Sequence, residues 1–266
     1  NTVLSVINQD YPNIEVLIND DYSTDGTLTI LKEKFGQQNT IKIKQNSHNL
    51  GTAGNWNTLF KKATGKYWLK LDGDDLIKPN FLTETVKIAE YYQTDFTGTS
   101  FESLNLDNGK KKTPYIHKFL TEGLIENPIQ SIFVDHPFHL CFTLLRADFI
   151  KTLMINGEYF IDTEVCDAEF QLRASFKPEF KAYFINKPLA YYCFHHQNSS
   201  TVPLKQAKSF VYDLIGLHHI RLKGILGQVY KQKMWKNFKT YLKLMLKNEA
   251  PLDIKLLYTC LKRIWL

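Results

Sequence analysis

Lys70-Leu71-Asp72-Gly73-Asp74-Asp75 sets three carboxylates within four residues, directly after the apolar run Tyr67-Trp68-Leu69. Carboxylates this close repel one another unless positive charge sits among them. A hard divalent cation, Mn²⁺ or Mg²⁺, is the usual answer. It prefers carboxylate oxygen and is readily shared with the phosphate oxygens of a substrate. The apolar run reads as a buried strand. The carboxylates then stand at its carboxyl end, where open α/β sheets bind ligands. The same residue types are also good turn formers, and a plain acidic turn is the commoner use of Asp-Gly-Asp-Asp.

Three more segments carry groups that could do chemistry. Asp20-Asp21-Tyr22-Ser23-Thr24-Asp25 is a polar turn after the short apolar run Ile14–Ile18, and Asp25 or Thr27 is placed to cap the helix that follows. Asp167 and Glu169 lie at the start of a helical stretch over 164–174, where the helix dipole favours negative charge. Two residues apart on a helix, they point in different directions, so only one can face a given ligand. Tyr192-Cys193-Phe194-His195 ends a strand-like run, with His196 adjacent.

The elements that must position these groups alternate along the first two thirds of the chain. Strands are expected at 14–18, 41–43 and 67–71, and helices at 28–35, around Trp56–Ala63, and at Phe81–Tyr92. Asn49–Gly54 reads as a loop, and Thr94–Pro137 as irregular. Further strands are expected at 142–145, 182–185 and 189–194, with a helix ending near Met154. Strands alternating with helices imply an α/β fold with a mostly parallel sheet flanked by helices. Thr2–Asn8 reads as the tail of a helix, and the chain begins with Asn, so residues are expected to precede it.

The 266 residues suit one large domain, or one domain with an extension. The net charge of +6 is uneven: from Leu204 onward there are 13 Lys+Arg against 3 Asp+Glu, leaving Asn1–Pro203 mildly acidic. The boundaries follow: 1–203 as the catalytic-type domain and 204–266 as a basic, amphipathic helical extension. In that extension Trp235, Phe238, Leu242, Met245 and Leu246 recur at helical spacing among lysines. Such a surface can lie on an anionic bilayer or pack on the domain with its lysines in solvent. No membrane-spanning run is present, and charge alone does not make a nucleic-acid site. Cys141, Cys166, Cys193 and Cys260 are widely separated and form no CxxC pair. They predict neither a zinc site nor a disulfide framework, but reduced thiols and a cytoplasmic location; the tail leaves peripheral contact with the inner face of the membrane and packing on the domain both open.

Taken in order, the four acidic or histidine-bearing segments resemble those of inverting glycosyltransferases of family 2, which have the GT-A fold. The resemblance covers about Asn1–Ser200, and the family's first strand would precede Asn1. It implies transfer of a single sugar from a nucleoside diphosphate sugar, UDP-linked by preference, to a hydroxyl of a glycan or lipid-linked acceptor in cell-surface polysaccharide synthesis. By resemblance, Asp21 reads the base and Asp74 holds the metal. Asp72 contacts ribose or orients the loop, and Asn49 and Gly51 belong to the nucleotide-binding Asn-x-Gly stretch, which Asn57 completes. Asp167 is the base, with Glu169 its rival, and His195, or His196, touches the metal or diphosphate. The chain departs from the family pattern at Tyr22, where Gly is usual, at Asn55-Trp56 in place of Ala-Arg, and at Cys166 in place of Glu. The Gln-x-x-Arg-Trp signature of processive synthases is absent, which favours a single transfer. A nucleotidyltransferase, or a non-catalytic carbohydrate- or partner-binding module with a decayed site, are the alternative readings.

Overall fold

The computed structural model describes residues 1–115, 121–135, 138–162, 166–195, 231–232, 235–236 and 238–244. In chain order these form α1 (Thr2–Ile7), β1 (Val16–Asp20), α2 (Thr27–Phe35), β2 (Ile41–Gln45), α3 (Gly51–Phe60), β3 (Tyr67–Leu69), β4 (Leu76–Ile77) and α4 (Phe81–Tyr92). There follow β5 (Phe96–Asn105), β6 (Lys111–Tyr115), β7 (Gly123–Leu124), α5 (Pro128–Asp135), β8 (Thr143–Arg146), α6 (Ala147–Lys151), α7 (Cys166–Ser175) and β9 (Ala182–Phe194). One compact unit comprises Asn1–Asp162 and Phe170–Phe194; the other comprises Thr163–Glu169 and His195–Leu266.

In the first unit, β1 and β2 pair in parallel with Val16 opposite Ile41. A seven-stranded sheet runs β3-β8-β5-β9-β4, with β6 on β5 and β7 on β9. This sheet is mixed rather than mostly parallel: β5 and β9 are parallel, whereas β3–β8, β5–β8, β4–β9, β5–β6 and β7–β9 are antiparallel. β5 and β6 are joined by a short turn, as an antiparallel pair allows, whereas the other antiparallel pairs bring together strands far apart in the chain.

The irregular stretch expected after Thr94 is in fact the central strand, β5. Its first five residues are buried despite reading Phe-Thr-Gly-Thr-Ser. Thr97 meets its hydrogen-bonding need at Thr94 Oγ1, 2.6 Å away. The two strand runs expected at 182–185 and 189–194 form a single strand, β9, with Pro188 inside it. The strand tolerates this proline because the β5 register shifts there, between Thr99 and Phe101. α3 begins at Gly51, inside the expected loop.

An aromatic cluster fills the space around β3 and α3: Phe60, Trp68, Tyr159 and Phe160 meet edge-on or tilted at 4.9–5.6 Å. Phe160 continues it to Phe170 at 4.7 Å, and Phe170 stacks on Phe96 at 5.9 Å. Arg173 closes this region by donating to the carbonyls of Leu153 and Tyr159, a structural task. Asp95, fully buried, is neutralised by Arg146 and accepts from the Lys181 N–H at 2.8 Å.

In the second unit, α7 begins with Cys166, and the described residues between 231 and 244 are helical. There Phe238 and Tyr241 are buried while Trp235 is 41% exposed, so the apolar stripe of this helix runs through Tyr241 rather than Trp235. Met245, Leu246 and the helix expected around Phe210–Arg221 lie outside the described residues. Among the described residues no helix is long and apolar enough to cross a membrane.

Candidate functional site

Two acidic loops are built at carboxyl ends of strands, and α3 serves both. The first follows β1. Asp20 is buried, and its Oδ2 accepts from the Ser23 N–H at 3.0 Å and from Gln45 Nε2 at 2.7 Å. Burial alone would raise its pKa, but those hydrogen bonds outweigh it and hold the carboxyl below its usual value. Asp20 is therefore a structural anchor for the turn.

Asp21 has a different set of partners. Its Oδ1 accepts from Asn46 Nδ2 and from the Leu50 N–H, both at 2.8 Å. Both bonds fall on one oxygen, so they fix the carboxylate without spanning its second edge. Tyr22 has φ 65°, the left-handed region, and is 51% exposed. That backbone accounts for the glycine usual at this position in the resembled family: Tyr adopts it at a cost of about 1 kcal/mol.

The expected nucleotide contacts Asn49 and Gly51 lie on the adjoining loop. Asn49 is exposed; its Nδ2 donates to the Asp21 carbonyl at 3.2 Å and its Oδ1 accepts from the Gly51 N–H at 3.0 Å. Gly51 has φ 71°, which a side chain would strain. The two residues thus shape the entry of α3 beside Asp21.

Three consecutive residues of α3 then do three different jobs. Asn55 Oδ1 accepts from Asn19 Nδ2 at 2.6 Å and from Asn46 Nδ2 at 3.1 Å, while Asn19 Nδ2 also reaches Asn46 Oδ1 at 2.8 Å. This three-asparagine knot ties β1, the end of β2 and α3 together behind Asp21. Trp56 lies beneath Lys70, whose Nζ is 3.8 Å from the ring centroid. Asn57 is buried and bridges to the backbone of Tyr159 and Phe160 at 2.8–3.0 Å, so it is a packing residue. Asn55 and Trp56 read from sequence as departures from a pattern. In the fold they are the struts of both loops.

The second loop follows β3. Lys70 is buried, a costly place for an ammonium unless it is well paired. It is paired with Asp72 Oδ1 at 2.7 Å and with Cys141 Sγ at 3.1 Å, besides the Trp56 face. Burial would lower the lysine pKa, but Cys141 and Asp72 outweigh that and raise it, so the charge stays on. Asp72 in turn accepts from Cys141 Sγ at 3.1 Å on its other oxygen, and Lys70 overcomes its burial to hold it below the ordinary value. The positive charge needed among these carboxylates is thus supplied in part by the chain itself, from a lysine inside the motif.

Asp75 is 1% exposed and accepts from the Cys193 N–H at 2.9 Å, which fastens the loop to β9. Burial, with Asp74 and Asp72 close by, pushes its carboxyl up to about 7. Asp74 is half-buried at the tip of the same turn, next to exposed Gly73. The turn closes through an Asp75 N–H to Asp72 carbonyl bond of 3.2 Å, and Thr2 of α1 donates to the Gly73 carbonyl at 2.7 Å.

The remaining expected residues lie in the second unit. Asp167 and Glu169 occupy the first turn of α7. Asp167 is half-buried and its Oδ1 accepts from the Ala168 N–H at 2.8 Å, whereas Glu169 is 1% exposed. Asp167 is the accessible carboxylate of the pair. His195 is half-buried, one residue beyond β9; His196 lies outside the described residues.

Among curated relatives, an Escherichia coli protein described as "UDP-Glc:alpha-D-GlcNAc-diphosphoundecaprenol beta-1,3-glucosyltransferase WfaP" is 35% identical over 128 residues, 48% of this chain and 45% of that protein. The chain spans about half the length of the curated relatives it matches. Among solved structures, Staphylococcus aureus TarS 1–349 in complex with UDP-GlcNAc superposes with a TM-score of 0.69 at 18% identity, covering 99% of this chain and 76% of that one. The Pyrobaculum calidifontis mannosyltransferase PcManGT, solved with GDP-Man and Mn²⁺, gives 0.60 at 16% identity, covering 97% and 74%. These likenesses identify the α/β fold described above as GT-A. The family model described as "Glycosyl transferase family 2" matches residues 1–153, more than half of the chain, and the chain therefore belongs to glycosyl transferase family 2.

Proposed function

We propose that the chain transfers a single sugar, with inversion, from a nucleoside diphosphate sugar to a hydroxyl of a glycan or lipid-linked acceptor in cell-surface polysaccharide synthesis. The observation that carries this reading is the loop after β3. Asp72 spends both oxygens on Lys70 and Cys141, and Asp74 stands at the tip of a turn pinned by Thr2, Asp75 and β9. A carboxylate held so firmly is suited to a hard divalent cation. UDP is the favoured diphosphate because Asp21 presents a carboxylate, which accepts from the imide N–H of uracil, a donor that cytosine lacks. TarS was solved with UDP-GlcNAc, and the name of the Escherichia coli relative specifies a UDP-linked donor and a diphosphoundecaprenol acceptor.

In this reading Asp21, braced by Asn46 and Leu50, orients the base, and the Asn49–Gly51 entry to α3 lies along the nucleotide. Asp74 holds Mn²⁺ or Mg²⁺, with His195 as a further ligand; PcManGT was solved with Mn²⁺. The carboxylate oxygen of Asp74 is the donor type such an ion prefers, and imidazole nitrogen suits it less. When bound, the ion neutralises charge on the departing diphosphate. Asp167 takes the proton of the acceptor hydroxyl as its oxygen attacks the anomeric carbon from the face opposite the diphosphate. The bond from the anomeric carbon to phosphate oxygen breaks, the nucleoside diphosphate leaves, and one displacement inverts the centre. The basic residues from Leu204 onward would hold the protein peripherally on an anionic membrane, near lipid-linked acceptors.

A panel of nucleotide sugars offered to the purified chain with Mn²⁺ and with EDTA, scored by nucleoside diphosphate release, tests the reading. Metal-dependent release from one UDP-sugar is expected. Asp167→Asn should cut kcat by about 10²-fold or more while UDP affinity stays within about threefold, well under 1.4 kcal/mol. Wild-type turnover in that variant would reject Asp167 as the base, and no release from any donor would reject the enzyme.

A further inference from the structure

Asp75, His139 and Cys141 each bring one ligand atom to within 4.8 Å of the other two. The transfer reaction as proposed uses none of the three. Only the fold unites them: His139 and Cys141 flank Leu140 just ahead of β8, while Asp75 arrives from the turn between β3 and β4. Their atoms are a carboxylate oxygen, an imidazole nitrogen and a thiol sulfur. That mixture differs in kind from the oxygen-rich set expected around Asp74.

Each side chain is held by neighbours outside the cluster. Asp75 Oδ1 accepts from the Cys193 N–H at 2.9 Å. The His139 ring stacks on Phe142 at 4.8 Å and 23°, and Phe101 and Tyr192 close on it at 5.5 and 5.3 Å. Cys141 is 1% exposed and sits 3.1 Å from both Asp72 Oδ2 and Lys70 Nζ. An aromatic wall on one side and hydrogen-bonded charges on the other are the kind of outer support that orients metal ligands. Asp72 and Asp74 lie close to Asp75, and Lys70 pairs with Asp72.

We propose that Asp75, His139 and Cys141 form a thiophilic divalent-cation site, selective for Zn²⁺ over Mg²⁺ and Mn²⁺ and distinct from the cation held by Asp74. Three ligands of types S, N and O leave one tetrahedral position for water. Thiolate and imidazole donors disfavour Mg²⁺ and Mn²⁺. Burial keeps the Cys141 thiol well above its ordinary pKa, so the sulfur enters as thiolate by losing its proton to solvent as the metal binds. The same event replaces the Cys141 to Asp72 hydrogen bond with a metal–sulfur bond.

Co²⁺ reports such a site independently of turnover. Bound through a thiolate in tetrahedral geometry it gives an intense near-ultraviolet sulfur-to-cobalt charge-transfer band, whereas an oxygen-rich site gives none. The chelator-stripped chain titrated with Co²⁺ should develop this band to one equivalent and lose it on adding Zn²⁺. Cys141→Ser should abolish the band. His139→Gln, at a half-buried position that spares the core cysteine, should weaken Co²⁺ binding by about tenfold or more. Asp74→Asn should keep the band while losing Mn²⁺-dependent nucleotide binding, so the two cation readings fail separately. No band in the native chain, a band that survives Cys141→Ser in folded protein, or a band lost with Asp74→Asn would each overturn the proposal.

Discussion

Asp75→Asn tests the electrostatics of the β3–β4 turn with a change of one atom. In the metal-free protein the Asp75 carboxyl is pushed up to about 7, against an ordinary 3.8. Below pH 3.8 the group is protonated in folded and unfolded chains alike, and it costs nothing. As pH rises from there to about 7 the unfolded chain ionises and the folded one does not, so the folded state binds the extra proton and stability falls. Above that range the full penalty applies. Three pK units at 1.36 kcal/mol each set a ceiling of about 4 kcal/mol. Asp72 and Asp74 supply part of the push and relax when Asp75 is neutralised. Asparagine carries no charge and keeps an oxygen for the Cys193 N–H. Urea unfolding in EDTA, followed by tryptophan fluorescence, should show Asp75→Asn more stable than wild type by about 2–4 kcal/mol at pH 8, shrinking to under about 1 kcal/mol at pH 4. Parallel stability curves for the two proteins across that range would refute the reasoning.

Gly98→Ala should destabilise by about 1–3 kcal/mol, because an added Cβ would stand 2.1 Å from the ring of buried Phe138; unchanged urea midpoints would count against the packing described around β5. Asn55→Ala removes the acceptor shared by Asn19 and Asn46 and should cost about 1–3 kcal/mol of stability. It should also weaken UDP binding by about tenfold, because Asn46, which holds Asp21, loses one of its own partners, and calorimetry showing native affinity would detach the knot from the site. Tyr22→Gly relieves a left-handed tyrosine, so the melting temperature should hold or rise; a loss beyond about 1 kcal/mol would mean the Tyr22 side chain, not its backbone, stabilises the turn.

Sequence periodicity located the elements whose apolar residues cluster by face. α4 runs over Phe81–Tyr92 as expected, and β1, β2 and β3 fall within two residues of their expected ends. The central strand β5 was hidden because burial there is carried by Thr97, Thr99 and Ser100, polar residue types that do not advertise a core. β9 read as two strands because Pro188 breaks a pattern that the sheet absorbs as a register shift. At the site, the acidic loops were marked in the sequence by carboxylates that follow a strand-like apolar run, a pattern that a plain acidic turn also makes. Lys70 stood inside the motif in plain view, but only the fold places Trp56 and Cys141 around it. Asn55 belongs to a network with partners 36 and 9 residues away, and no local pattern announces it. Asp75, His139 and Cys141 are likewise joined only by topology, and cysteine spacing argued against any thiol site at all.

The central claim is that Asp74 grips a cation that in turn grips a nucleoside diphosphate. Calorimetric titration of UDP into the wild-type chain with Mn²⁺ and with EDTA, and into Asp74→Ala with Mn²⁺, tests it most directly. The account predicts that UDP binds at least about tenfold more tightly with Mn²⁺, a difference of about 1.4 kcal/mol or more, and that Asp74→Ala abolishes this gain. Equal affinity for UDP with and without Mn²⁺, or a gain that survives in Asp74→Ala, would contradict it.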